Sequence, residues 1–260
     1  NQERGDFMIF YFTGTGNSLY IAKQIDSDPI SIPQVIHQTD LEFTDDKIGI
    51  VAPVYGHEVP DMVKEFIRKA HFRTDYFYMI LTYGNRHGGA AELAEQFCES
   101  CGVTASYINV IHMVDNWLPN FDIDEQRIID KNVDGQMDVI LRDLKEKKKM
   151  ISEVTEKDRE AHREFLKFKN SAPADVWQHL IVITENCIGC GLCEKVCPSS
   201  SIHMEKEKAL YTPGKCQTCF ACIHACPNKA IGLSIPEKNK NARYRNEHIS
   251  IQDIIKANSQ

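Results

Sequence analysis

Eight of the ten cysteines in this 260-residue chain fall between Cys187 and Cys226, in two runs of one pattern. The first run is Cys187, Cys190, Cys193 and Cys197, followed by Pro198. The second is Cys216, Cys219, Cys222 and Cys226, followed by Pro227. Both read C-x2-C-x2-C-x3-C-P. Three thiolates at intervals of three wrap one iron–sulfur cubane, and the fourth lies too far along the next turn to close the same cluster, so it serves the other. The spacing therefore assigns Cys187, Cys190, Cys193 and Cys226 to one [4Fe–4S] cluster. It assigns Cys216, Cys219, Cys222 and Cys197 to a second. Zinc is the competing metal, but its sites use paired CxxC or Cys/His motifs rather than runs of four ending in Pro. A disulfide frame would suit a small secreted domain, and no secretory signal is visible.

Short apolar stretches surround these runs. Ile181–Thr184 and Ala230–Ser234 can pair as outer strands, and Ile202–Glu205 with Ala209–Thr212 can form a hairpin between the halves. Over about residues 180–235 the chain resembles a bacterial two-cluster ferredoxin. That resemblance implies single-electron transfer and no chemistry for the cysteines beyond ligation. His179, His203 and His224 lie nearby, and with the cysteine count complete they are expected to pack or face solvent.

A second group of residues sits near the start of the chain. Phe12–Ser18 reads FTGTGNS, between the apolar run Phe7–Phe12 and a helix-like stretch. Strand, glycine-rich turn and helix make a phosphate grip. A Walker A loop would need a Lys beside the terminal Ser, and Lys23 comes a helical turn too late. The dinucleotide fingerprint needs a third glycine where Leu19 stands. What remains is Thr13, Gly14, Thr15, Gly16, Asn17 and Ser18: hydroxyls, amides and two flexible glycines at a helix N-terminus. Backbone N–H groups and the helix dipole there suit a dianionic phosphate without a countercharge.

This loop resembles the FMN phosphate loop of flavodoxins, with Thr13 for the family's Ser and Ser18 for its Thr. The resemblance implies two further loops that clamp the flavin ring, and both are present. Pro53, Val54, Tyr55 and Gly56 follow the third strand. Thr82, Tyr83, Gly84 and Asn85, then Gly88 and Gly89, follow the fourth. Tyr83 is the candidate to stack on the flavin, with Tyr55 opposite or at its edge. His57, Arg86 and His87 stand where simple flavodoxins often carry acidic groups, so a developing anion should be favoured and the reduced flavin should be less strongly reducing. In the loop His112–Asp122, Asn116 and Trp117 either cover the ring or face a substrate, or Trp117 plugs the contact with the cysteine domain. Cys98 and Cys101 also form a C-x-x-C, but in a last helical turn, where packing is the expected role.

These loops need a scaffold. Strand candidates Phe7–Phe12, Ile30–Ile32, Lys47–Ala52, Tyr76–Thr82 and Ala105–Ile111 alternate with helix candidates Asn17–Ile25, Pro60–Ala70 and Gly89–Cys101. The strands are apolar on both faces, as buried parallel strands are. The expected fold is α/β: a flavodoxin-like, doubly wound, five-stranded parallel sheet, then helices, then a small α+β ferredoxin domain. The expected division is 1–122 for the FMN domain, 123–179 for a helical connector, 180–235 for the cluster domain and 236–260 for a tail. A short helix near Ile249–Ile255 should dock that tail on the body. The first Met is Met8, so residues 1–7 are expected to include a non-native remnant.

The chain is 42% hydrophobic and 26% charged, enough to bury a core. Its net charge of −7 argues against nucleic acid as the main partner, and residues 1–122 alone carry −9. No apolar run is long enough for membrane insertion. As a whole the chain resembles the flavodoxin–ferredoxin fusion proteins of anaerobes. The family implies a cytoplasmic electron-transfer flavoprotein with FMN, two [4Fe–4S] clusters, and redox protein partners as donor and acceptor. A ferredoxin-fed FMN reductase acting on a small-molecule substrate is the alternative; His57, His87 and Tyr83 are its proton-donor candidates by residue type.

Overall fold

The computed structural model describes residues 8–173, 176, 177 and 179–259. Residues 1–7, where a non-native remnant is expected, lie outside the described residues. The main sheet holds β1 (Met8–Tyr11), β2 (Ile30–Ser31), β3 (Lys47–Pro53), β4 (Tyr76–Tyr83), β5 (Ala105–His112) and β6 (Met150–Ile151), in the order β2-β1-β3-β4-β5-β6. Every neighbouring pair is parallel. The first five strands follow the flavodoxin order, whose crevice lies outside the carboxyl ends of the strands near β1 and β3. β3 and β4 are central and buried on both faces, which explains their continuous apolar sequence.

Among the described residues, seven helices accompany the sheet: α1 (Asn17–Ile25), α2 (Ile32–Val35), α3 (Asp61–Lys69), α4 (Ala90–Ser100), α5 (Ile123–Arg127), α6 (Val133–Lys145) and α7 (Glu156–Ser171). The connection after α2 contains Glu42–Thr44, which pairs in parallel with His71–Arg73 as a small accessory sheet.

The sixth strand departs from the expected five. The stretch 123–170 reads as helix, yet Met150 pairs with Tyr107 and Ile151 with Ile108, and the Ser152 amide donates to the Ile108 carbonyl at 2.8 Å. Two residues are too few to show an alternating pattern, and the run Lys145–Lys149 hides them. α6 buries Met137, Ile140 and Leu144. It also buries Asp143, which is 2% exposed and meets Lys148 Nζ at 3.0 Å. α7 starts with a capping box in which Thr155 and Asp158 satisfy each other's amides.

The cysteine-rich part contains β7 (Ile181–Ile183), α8 (Leu192–Lys195), β8 (Ile202–Glu205), β9 (Lys208–Tyr211), α9 (Ala221–Ala225) and β10 (Ile231–Leu233). β10 lies antiparallel to β7, and β8 and β9 form the hairpin that the sequence leads one to expect. The tail ends in α10 (Ile251–Asn258), capped by Ser250 and Asp253.

The two halves share their cores. Val196, Cys219, Ala221, Ile249, Ile254 and Ala257 pack into the core of the main sheet. Leu118 and Ile123, from beyond β5, pack into the core of the cysteine-rich part.

Candidate functional site

The two cysteine runs fold as near copies. α8 and α9 each start from a left-handed residue, Gly191 (φ 73°) and Phe220 (φ 58°). Each run's fourth sulfur accepts an amide four residues on: Ser201 N to Cys197 Sγ and Ala230 N to Cys226 Sγ, both 3.2 Å. Thr218 N also donates to Cys216 Sγ at 3.4 Å. Such N–H···S contacts tune iron–sulfur potentials.

The eight thiols surround two cavities. Cys187, Cys190, Cys193 and Cys226 line one, together with Met204 and Ile231. Cys197, Cys216, Cys219 and Cys222 line the other, with Ile202, Tyr211 and Phe220. The fourth cysteine of each run thus faces the cavity of the other run. Among the described residues no group of three or more His, Cys, Asp or Glu closes on a single-ion site. Burial pushes the Cys219 and Cys222 thiols well up and Cys193 to about 11, which disfavours their thiolates. Cys187 is lowered by amides from Ala209 and Gly189.

The cysteines differ in exposure. Cys190 is exposed, and beside it Ile188 is 65% exposed. Cys219 and Cys222 are buried, and their segment faces the main sheet.

The phosphate-type loop lies at the carboxyl end of β1. Gly16, with φ 103°, turns the chain into α1. The first helical bond runs from Tyr20 N to Gly16 O at 2.8 Å, so the preceding helix amides have no intrahelical acceptor. The first turn has no acidic side chain. Gly16 N donates to Thr13 Oγ1 at 3.1 Å, Ser18 Oγ meets Thr82 Oγ1 at 2.9 Å, and Asn116 Nδ2 donates to Thr15 Oγ1 at 2.5 Å. Thr13, Thr15 and Ser18 are buried. The Tyr55 hydroxyl ends 3.0 Å from where a Gly14 methyl would stand, and burial raises its pKa well above the ordinary phenol. This set of amides and neutral hydroxyls, free of carboxylates, fits the phosphate of FMN.

The other two loops converge on the same edge. Val54 N donates to Thr82 O at 2.9 Å, which ties Pro53–Gly56 to the loop after β4. Tyr83 stacks on His112 with centroids 5.1 Å apart and planes 13° apart, while His87 meets its edge. His112 in turn contacts the Gly84 carbonyl at 2.7 Å. Asn85 and Arg86 are exposed, and Gly89 starts α4 with φ 85°. A side chain on Gly88 would collide with the His57 ring, so that loop admits only glycine there. His57 also packs against Phe165 and His162 of α7, at 5.1 and 5.6 Å. Its pKa falls to about 4, chiefly through burial and then through His162, His87 and Arg86.

The structure decides between the two readings of Trp117. The indole stacks on Phe220 at 5.1 Å and 20°, against the cysteine-rich part. His224 is buried, accepts from Tyr244 N through Nδ1 at 3.0 Å, and faces Asn116 O through Nε2 at 3.2 Å. Cys98 is fully buried against Met79, and burial pushes its thiol to about 12, which suits packing.

The tail helix expected near Ile249–Ile255 forms and docks on the body, but sequence reasoning did not find the contacts that the tail's residues make. Tyr244 Oη donates to Asn17 Oδ1 at 2.6 Å, and Asn246 N donates to Thr15 O at 2.9 Å. Asn258 Nδ2 reaches both Thr13 O at 3.3 Å and Val196 O at 2.9 Å. The capping box and the spacing of isoleucines announce a helix, but no sequence signal names the surface it meets.

Fold and site together define an iron–sulfur electron-transfer domain seated on a flavodoxin-order sheet. Residues 179–227 match the 4Fe-4S dicluster domain family. An uncharacterized ferredoxin of Methanocaldococcus jannaschii is 32% identical over 72 residues, covering 26% of this chain and 94% of that protein. Through this stretch the chain belongs to the ferredoxins. One component of an ion-translocating oxidoreductase complex from Methanosarcina acetivorans is 47% identical over 47 residues, and the match covers 18% of each protein. The chain thus spans under a fifth of that relative's length. A metal-soaked Flv1 flavodiiron core from Synechocystis aligns over 54% of this chain and 36% of its own, at 15% identity and a TM-score of 0.30, a likeness too weak to carry an argument. Among the described residues no helix is long and apolar enough to cross a membrane.

Proposed function

We propose that this chain is an electron carrier that holds two [4Fe–4S] clusters and FMN in one body. When bound, the clusters exchange electrons singly and FMN exchanges two, so the protein would join one-electron and two-electron partners. The observation that carries this reading is the crosswise sharing of cysteines between two cavities, one of which abuts the phosphate-type loop.

In this reading Cys187, Cys190, Cys193 and Cys226 hold one cluster, and Cys216, Cys219, Cys222 and Cys197 hold the other. Thr13 to Ser18 hold the FMN phosphate, with the Tyr55 hydroxyl beside them. Pro53 to Gly56, Thr82 to Asn85, Gly88 and Gly89 form the ring end of the site. Residues 1–122 then serve the flavin, 123–179 connect while adding α6 and β6 to the main sheet, 180–235 serve the clusters and 236–260 bind the parts together. A redox protein would approach at exposed Cys190 and Ile188, while the enclosed Cys219 side faces inward.

The reductase alternative needs an open face beside Tyr83 and a proton donor on it. Trp117 is engaged by Phe220 and His57 by Phe165, which favours the carrier. The test is anaerobic purification with iron, sulfide and flavin quantification, followed by redox titration. About eight irons and one FMN per chain are expected. About four irons or fewer, or no flavin, would refute the corresponding part.

A further inference from the structure

The tail touches the candidate phosphate loop at three points, and no motif accounts for this. Asn17, the first residue of α1, accepts from Tyr244 Oη at 2.6 Å and from Asn246 Nδ2 at 3.2 Å through one side-chain oxygen, while its own amide group donates to Val114 O at 3.1 Å. Thr15 O accepts from Asn246 N. Thr13 O accepts from Asn258 Nδ2, and that same nitrogen donates to Val196 O, next to Cys197. Asn246 and Asn258 are 5% and 2% exposed. Buried polar side chains persist where their hydrogen bonds fix a geometry, because leaving them unpaired is costly.

Each of these bonds from the tail to the loop is accepted by a carbonyl or side-chain oxygen of the loop, so none of them consumes a loop amide. The carbonyls of Thr13 and Thr15 are held by the tail, which keeps them from turning toward an incoming anion. Asn17 is held from both sides, which fixes the first turn of α1. Lys23 and Asp253, 2.6 Å apart, and Gln34 Nε2, donating to Lys256 O at 2.6 Å, fasten α10 along α1 and α2.

We propose that the segment Ala242–Asn258 is the third wall of the phosphate site. Tyr244, Asn246 and Asn258 are positioning residues: they hold the loop in its anion-binding shape and clamp it to the Cys197 side of the cluster domain. The proposal rests on the FMN reading above.

The test uses full-length Tyr244→Phe, Asn246→Ala and Asn258→Ala. Flavin is removed, then FMN and riboflavin binding are measured by fluorescence quenching, with iron content determined on the same samples. The expected result is FMN affinity weakened about tenfold, the loss associated with one hydrogen bond. Riboflavin affinity and iron content stay at wild-type values, because only the phosphate contacts are disturbed. Equal losses for both flavins would mean general unfolding and would overturn the proposal, as would FMN affinity equal to wild type. Tyr244→Phe removes one oxygen, so it keeps the test informative should Asn258→Ala fail to fold. A wild type that binds neither flavin overturns the FMN reading itself and this proposal with it. A wild type that binds FMN beside unaffected variants overturns the proposal alone.

Discussion

The main-chain carbonyl oxygen of Cys219 lies 2.6 Å from the point where a methyl group on Gly14 would sit. The second cysteine run and the phosphate-type loop therefore meet backbone to backbone. Gly14→Ala should force the two apart, at about 1–3 kcal/mol for an overpacked buried contact. Thermal unfolding should show a lowered midpoint, and iron should be lost from the Cys219 cavity first. An unchanged midpoint and full iron content would show that the contact gives way freely.

The crosswise cavities make a second prediction. Cys226→Ser should perturb the same cluster as Cys187→Ser, although Cys226 lies in the other run. Cys197→Ser should group with Cys216→Ser. Paramagnetic resonance spectra of the four reduced variants would reveal the grouping, and grouping by run would contradict it.

His57 carries a pH prediction. Burial, aided by His162, His87 and Arg86 and opposed by Asp158, holds its folded pKa near about 4 against an ordinary value of 6.5. Between these values the unfolded chain binds a proton that the folded site refuses. Stability should therefore fall as pH drops from 6.5 through about 4, and be free of this effect above 6.5. His57→Asn keeps a residue type that tolerates the left-handed φ of 71° and removes the titration. Urea midpoints across that range should fall less steeply for the variant than for the wild type.

Ser250 accepts the Asp253 amide at 3.1 Å and forms the cap of α10. Ser250→Ala should cost about 1 kcal/mol. Amide exchange in the first turns of α10 should quicken several-fold, while exchange in β4 should hold steady.

The parts of the fold that repeat or alternate were legible in the sequence. The strands β1 to β5 announce themselves by apolar runs between helical patterns, and the cysteine spacing anticipates which thiols share a cavity. β6 was not legible because two residues carry no period and the lysines before it mimic a solvated helix. Trp117 was ambiguous for a different reason: its type suits either a flavin face or an interface, and only its stacking on Phe220 decides. The tail contacts were hidden because Asn246 and Asn258 are ordinary polar residues in sequence. Their importance comes from pairing across 245 positions, as in Asn258 to Thr13.

That last pairing has a temporal side. Thr13 belongs to the first strand–helix turn of the sheet, Val196 to the cluster domain and Asn258 to the tail, and one amide group touches the first two. On a ribosome the early turn is made long before its clasp exists. Contacts this distant along the chain also form slowly. The phosphate-type loop thus gains its last contacts only when the tail arrives.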